Sequence, residues 1–187
     1  MYNQMDNWED SLKEAIELHD KGIDGDQESA EQSLKLLKKI KLQQPNNSLV
    51  LAYFGSATAL TAKYHPNLIE KSKLANKGLR SLDQAVSLDS NHADIRLLRG
   101  YVSFKLPEMY FKRTKTAIED FTFLTDSFAK GRKIPEKLYW QLMFDLGVAY
   151  QTIGNEEEAL KTWSKIEKGP ARSKYQKVIQ EAKKEGR

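Results

Sequence analysis

The sequence has no cysteine, which excludes disulfides, thiolate metal sites and cysteine nucleophiles outright. It has three histidines, His19, His65 and His92, and none stands at the paired spacing that a zinc or metalloprotease site requires. Each falls near an expected helix end, where a capping or surface role accounts for it. No G-x-S-x-G elbow, phosphate-binding loop or G-x-G-x-x-G run occurs, and the ten glycines lie mostly at expected helix ends. No apolar run approaches the ~20 residues that cross a bilayer. The longest, around Leu49 to Ala62, is broken by Ser and Thr and suits a buried helix. The opening MYNQMDNWEDSLKEAIEL lacks the basic start and uninterrupted apolar stretch of a secretory signal. The expectation is a folded cytoplasmic protein with no metal and no cofactor. An enzyme is the weaker reading, because scattered carboxylates make a catalytic dyad only by folding.

What is present is ordinary for a soluble helical protein: 187 residues, 40% hydrophobic and 30% charged, enough for one domain over 1–187 or one short solenoid. Charge is unevenly spread. Residues 1–31 hold ten carboxylates against Lys13 and Lys21, a balance of −8, so the overall +4 leaves +12 on the remaining 156 residues. Such a chain can self-associate head to tail or fold its acidic end over a basic groove; solvated faces of opposite sign are the plainer explanation.

The stretch from Leu138 to Pro170 is the most regular. Trp140, Met143, Phe144, Leu146, Val148, Ala149 and Tyr150 wrap more than one face of a helix, so that helix needs cover on two sides. Gly154 and Asn155 stop it and cap the next helix. Glu156, Glu157 and Glu158 follow where the helix dipole favours negative charge, a solvated helix start rather than a metal site. Ala159, Trp163 and Ile166 form the second buried stripe, ended by Gly169 and Pro170. Leu146-Gly147, Tyr150, Ala159 and Trp163 resemble the tetratricopeptide repeat pattern of L-G-x2-Y, then A-x3-aromatic, then proline.

Looser copies precede it. Trp8 to His19 is an expected first helix with Leu12, Ala15, Ile16 and His19 on one face and Ser11-x-x-Glu14 as a capping box. Glu28 to Gln44 is the second, with Ala30, Leu34, Leu37 and Ile40 at helical spacing. Ser48 to Lys63 carries Phe54-Gly55 at the L-G position, and its partner helix arrives about eleven residues late, with Gly78, Leu82 and Ala85 matching the later positions. Pro66 suits a first helical position, followed by a seam of Leu68, Ser72, Ala75, Leu79, Leu82 and Val86. Arg99-Gly100 stands at the next L-G position, and 105–113 is a further insertion before Ala117, Phe121 and Leu124. Glycine spacings of 45 (Gly55 to Gly100) and 47 (Gly100 to Gly147) express both lengthenings against the family's 34. Lys-rich 64–77 and 105–113 either wall off the groove or extend it.

The resemblance implies an all-α right-handed superhelical solenoid of about four helix pairs (5–45, 46–90, 91–130 and 135–169) with a capping helix over 171–185, where Tyr175, Val178, Ile179 and Ala182 fall on one face. It also implies a concave groove lined by the first helix of each pair: Ala52, Ser56, Ala59 and Leu60, then Leu97, Tyr101, Phe104 and Lys105, then Phe144, Val148, Gln151 and Thr152. The expected function is that of a scaffold or adaptor whose groove binds an apolar peptide or helix of another protein. The lengthened helices filling that groove are the alternative. Self-association through the acidic N-terminal helix, as a homodimer, is the second reading. Nucleic-acid binding has its best local support in Tyr110, Phe111, Lys112, Arg113 and Lys115, which a solvated loop explains as well.

Overall fold

The computed structural model describes residues 7–131 and 133–185, all of whose regular structure is helical. The first six residues, Asp6 of the acidic segment included, lie outside the described residues, as does the start of the first expected repeat. The chain divides into two compact units, Met1–Arg99 and Gly100–Arg187, each of which has its own logic.

In the first unit, α1 (Trp8–Ile23) is capped by Asn7, whose side chain accepts from the Glu9 amide at 3.2 Å. The capping box expected at Ser11 does not form, because the helix begins three residues earlier and Ser11 lies inside it. α1 also runs a full turn beyond His19, so that histidine is not at a helix end. Gly25, at φ +114°, turns the chain into α2 (Gln27–Gln43), capped by Asp26. The two helices cross closely: the Ser33 hydroxyl donates to the Ala15 carbonyl at 2.7 Å. Leu12, Ala15, Leu37 and Ile40 meet Val50, Phe54 and Ala57 of α3 (Ser48–Ala62) in one core. α3 is buried on nearly all sides, as its apolar composition demands.

α4 (Leu68–Leu88) is the longest helix described, at 21 residues. Pro66 does not occupy its first position. Asn67 caps it instead, accepting from the amides of Ile69 and Glu70 at 2.9 and 3.0 Å, so Pro66 stays in the connecting turn. α3 and α4 touch backbone to backbone at Gly55 and Gly78; a Cβ on Gly55 would lie 2.7 Å from the Gly78 carbonyl oxygen. The late arrival of the partner helix is thereby explained: the added residues form the first turns of α4, before the crossing point. Of the expected seam, Ala75, Leu79, Leu82 and Val86 are buried, whereas Leu68 and Ser72 are exposed beyond the reach of α3.

α5 (Ala93–Lys105) spans the boundary between the units. Its Arg99, an unusual residue at a position where the repeat has leucine, is 8% exposed, with Nη1 3.5 Å from the Asp83 carboxylate of α4. In the second unit the 105–113 insertion forms one turn, α6 (Glu108–Phe111). It closes with Lys112 at φ +52° and with the Glu108 carboxylate accepting from the Thr114 amide at 2.8 Å. α7 (Thr114–Ala129) buries Ala117, Phe121 and Leu124. α8 (Glu136–Thr152) and α9 (Glu156–Glu167) meet through the Gly154 turn and the Asn155 cap. α10 (Arg172–Glu185) completes a core of Met143, Ala159, Trp163, Ile166, Tyr175 and Ile179. Val178, expected on its inner face, is exposed.

One contact recurs. From the second pair on, the glycine of the first helix faces a large side chain of the second: Gly55 faces Leu82, Gly100 faces Phe121, and Gly147 faces Trp163. The second, third and fourth pairs thus use the same small-against-large crossing despite their different lengths.

Candidate functional site

The groove positions expected from the repeat register fall into three environments. On α3, Ala52 is fully buried and Ser56 nearly so. Ser56 Oγ lies 2.8 Å from Nε2 of His19, a residue of α1 with no exposed surface, whose ring also meets Tyr53 edge-on at 5.5 Å between centroids. Burial holds the His19 pKa below its ordinary value, against the opposing pull of Asp20. The same burial pushes the Tyr53 hydroxyl up to about 12, with Asp94 and Asp20 adding to it. His19 is therefore a core residue and not a surface or capping one. Ala59 packs on Gly78 of α4, inside its own helix pair.

On α8, Phe144 stacks on Tyr175 of α10 at 5.6 Å and on Trp163 of α9 at 6.4 Å. Val148 packs against the same core, and the Gln151 amide donates to the Ala182 carbonyl at 2.6 Å. Three groove positions of the last repeat therefore lie against the chain's own C-terminal helix. Thr152 is exposed.

On α5, Leu97, Tyr101 and Phe104 are half-buried and Lys105 is exposed. These four recur at the four- and three-residue steps of one helix face. Tyr101 and Phe104 both meet Phe121 edge-on, at 5.2 and 5.6 Å. The Tyr101 hydroxyl donates to the Asp145 carboxylate at 3.3 Å, and Gln141 donates to both its oxygens at 3.1 and 3.2 Å. Tyr175 in turn donates to the Gln141 carbonyl at 3.1 Å. Burial pushes the Asp145 carboxyl above the usual range, while Gln141, Lys105 and Tyr101 oppose that shift. Burial and the nearby Asp145 charge together raise the Tyr101 hydroxyl. The geometry fixes Tyr101 by one polar edge and leaves part of its ring outside.

This Tyr101–Asp145–Gln141–Tyr175 chain escaped the sequence reading. Its one legible signal is Asp145 itself, a carboxylate set between Phe144 and Leu146 on an otherwise apolar helix, with Gln141 one turn before it. Among the described residues no three His, Cys, Asp or Glu side chains gather as metal ligands, and no helix is long and apolar enough to cross a membrane.

A shallow depression of about 530 Å³ lies elsewhere, along the outer side of α4 between Leu68, Ile69, Ser72, Lys73, Asn76 and Arg80. The sequence pattern placed Leu68 inward and so missed it.

No family model matches the chain, and no curated protein matches it. A second solved structure of MamA overlays at a TM-score of 0.38, with 19% identity over 88% of this chain and 95% of that one. Another solved structure of MamA, a tetratricopeptide-like protein, overlays at a TM-score of 0.50 with 18% identity, covering 84% of this chain and 90% of that one. At that identity the likeness concerns the fold: this chain is an all-α protein built of helix pairs as MamA is.

Proposed function

We propose that the chain is a protein-binding scaffold that takes an apolar peptide or helix of a partner on α5, through Leu97, Tyr101, Phe104 and Lys105. The observation that carries this reading is the difference between the three sets of groove positions. Ala52 and Ser56 of α3 are buried in the core, and Phe144 and Gln151 of α8 are held against α10, whereas α5 sets two half-buried aromatic residues and the half-buried Leu97 beside the exposed Lys105. Partly exposed aromatic side chains held rigid by their neighbours lose little entropy on binding, which is why they serve as anchors. Ala52, Ser56, Phe144, Val148 and Gln151 then act as supports for the face and not as contacts.

The test is site-specific photo-crosslinking in the producing cell, with a benzoylphenylalanine at position 104 and, as a control, at exposed Lys161. A discrete adduct at 104 that is absent at 161, and lost on Leu97→Ser, supports the reading. Equal labelling from both positions sinks it. A second reading, self-association, draws on the exposure of Glu9, Asp10, Glu14, Glu17 and Asp20 along α1. It predicts an oligomer that dissociates as salt rises.

A further inference from the structure

The two stretches that lengthen this chain relative to a regular repeat share a surface chemistry that the scaffold reading does not use. In the first, Leu68 and Ile69 stand 77% and 67% exposed at the start of α4. In the second, Met109 and Tyr110 of α6 stand 79% and 77% exposed. Each apolar pair is followed by cations: Lys71, Lys73, Lys77 and Arg80 along α4, and Lys112 and Lys115 after α6. A branched aliphatic pair left in water at a helix start is costly unless something covers it part of the time.

The α4 face is the better defined. The depression between Leu68 and Arg80 is apolar at one end and carries Ser72, Asn76 and two cations toward the other, about 18 Å along the helix axis at 1.5 Å per residue. Glu70 is the one carboxylate of α4 before Asp83, and it is already engaged with Lys73 at 2.7 Å. The exposed side of this segment is thus net positive, with its aliphatic groups gathered at one end.

We propose that this face of α4 docks on an anionic membrane surface, with Leu68 and Ile69 entering the acyl boundary and Lys73 and Arg80 meeting headgroup phosphates. The charge sign matches an anionic leaflet. The aliphatic pair protrudes, which suits a fluid hydrocarbon layer. Nucleic acid would match the cations but offers nothing to Leu68 and Ile69. The docking is peripheral and reversible, since two aliphatic side chains and a few cations are a weak anchor.

The test is co-sedimentation of the full chain with phosphatidylcholine vesicles and with phosphatidylcholine–phosphatidylglycerol vesicles, at low and high salt. Two double variants accompany the wild type, Leu68→Ser with Ile69→Ser and Lys73→Gln with Arg80→Gln. All four positions are exposed, and unchanged circular dichroism confirms that the folds are intact. The expected result is binding of the wild type to anionic vesicles alone, with a partition coefficient lower by about tenfold or more in each double variant; one cation near the surface is worth about fivefold and two about 25-fold. Failure of the wild type to bind anionic vesicles overturns the proposal, and so does either double variant binding as the wild type does. A soluble amphipathic Glu/Leu peptide that binds this face while vesicles do not, or a dimer lost in the same variants, also overturns it, by assigning the face to a protein or to a second copy.

Discussion

His19 shows how a single buried side chain ties stability to pH. It has no exposed surface, and its pKa lies below the ordinary 6.5 because burial disfavours the imidazolium. Between that depressed value and 6.5 the unfolded chain binds the proton that the folded chain refuses, so stability falls as pH drops through this window and is intact above it. The slope from one such group reaches at most about 1.4 kcal/mol per pH unit. Urea denaturation from pH 7.5 to 5 is expected to show this loss in the wild type and a flatter profile in His19→Gln; identical profiles refute it. Gly147 makes the opposite kind of demand, one of space. A Cβ there would overlap the Trp163 indole, whose Nε1 donates to the Phe144 carbonyl at 3.1 Å. Gly147→Ala is therefore expected to cost about 1–3 kcal/mol by overpacking. A denaturation midpoint within error of wild type would show that the crossing can open without penalty.

Among the helices, α10 has a role that its amphipathic sequence announces only in part. It was legible as a capping helix from Tyr175, Ile179 and Ala182. That its Tyr175 would stack on Phe144 and hold Gln141 was not, because stacking across 31 residues depends on how α8 and α9 cross. Tyr175 is 4% exposed, and Tyr175→Ala should destabilise by about 3 kcal/mol through lost ring packing. It should also bare Phe144 and so raise binding of a hydrophobic dye to the folded protein. A variant as stable as the wild type, with no added dye binding, would show that α10 does not cover this face. The start of α1 at Trp8 was legible, but its cap was not, because Asn7 and Ser11 both carry a side-chain oxygen that can accept from a free amide; at α4 the cap Asn67 follows Pro66 directly, so the proline stays one residue outside the helix.

For the molecule as a whole, the segregation of charge makes the self-association reading testable by salt. The carboxylates of α1 are exposed and the remaining chain is strongly basic, and any attraction between such charges is screened over ~8 Å at physiological ionic strength. If the acidic helix joins copies, sedimentation velocity should show an oligomer at 20 mM salt that becomes monomer by 500 mM, with charge reversal at Glu14 and Glu17 abolishing it. A monomer at every salt concentration disposes of that reading.

The helix-pair class and the identity of the buried stripes were written in the chain locally. Small residues at Gly55, Gly100 and Gly147, apolar residues at steps of three and four, and the Gly154-Asn155 stop each act within a few residues, where spacing alone carries the information. Which of these faces are covered depends on contacts between distant segments. His19 reaches Ser56 across 37 residues, Tyr101 reaches Asp145 across 44, and Gln151 reaches Ala182 across 31. A helical period tells which face a residue occupies, but whether that face meets solvent depends on what the rest of the chain lays over it. The same reason left Leu68 and Ile69 exposed: α4 continues the apolar pattern past the point where α3 ends, and a period cannot register the missing neighbour.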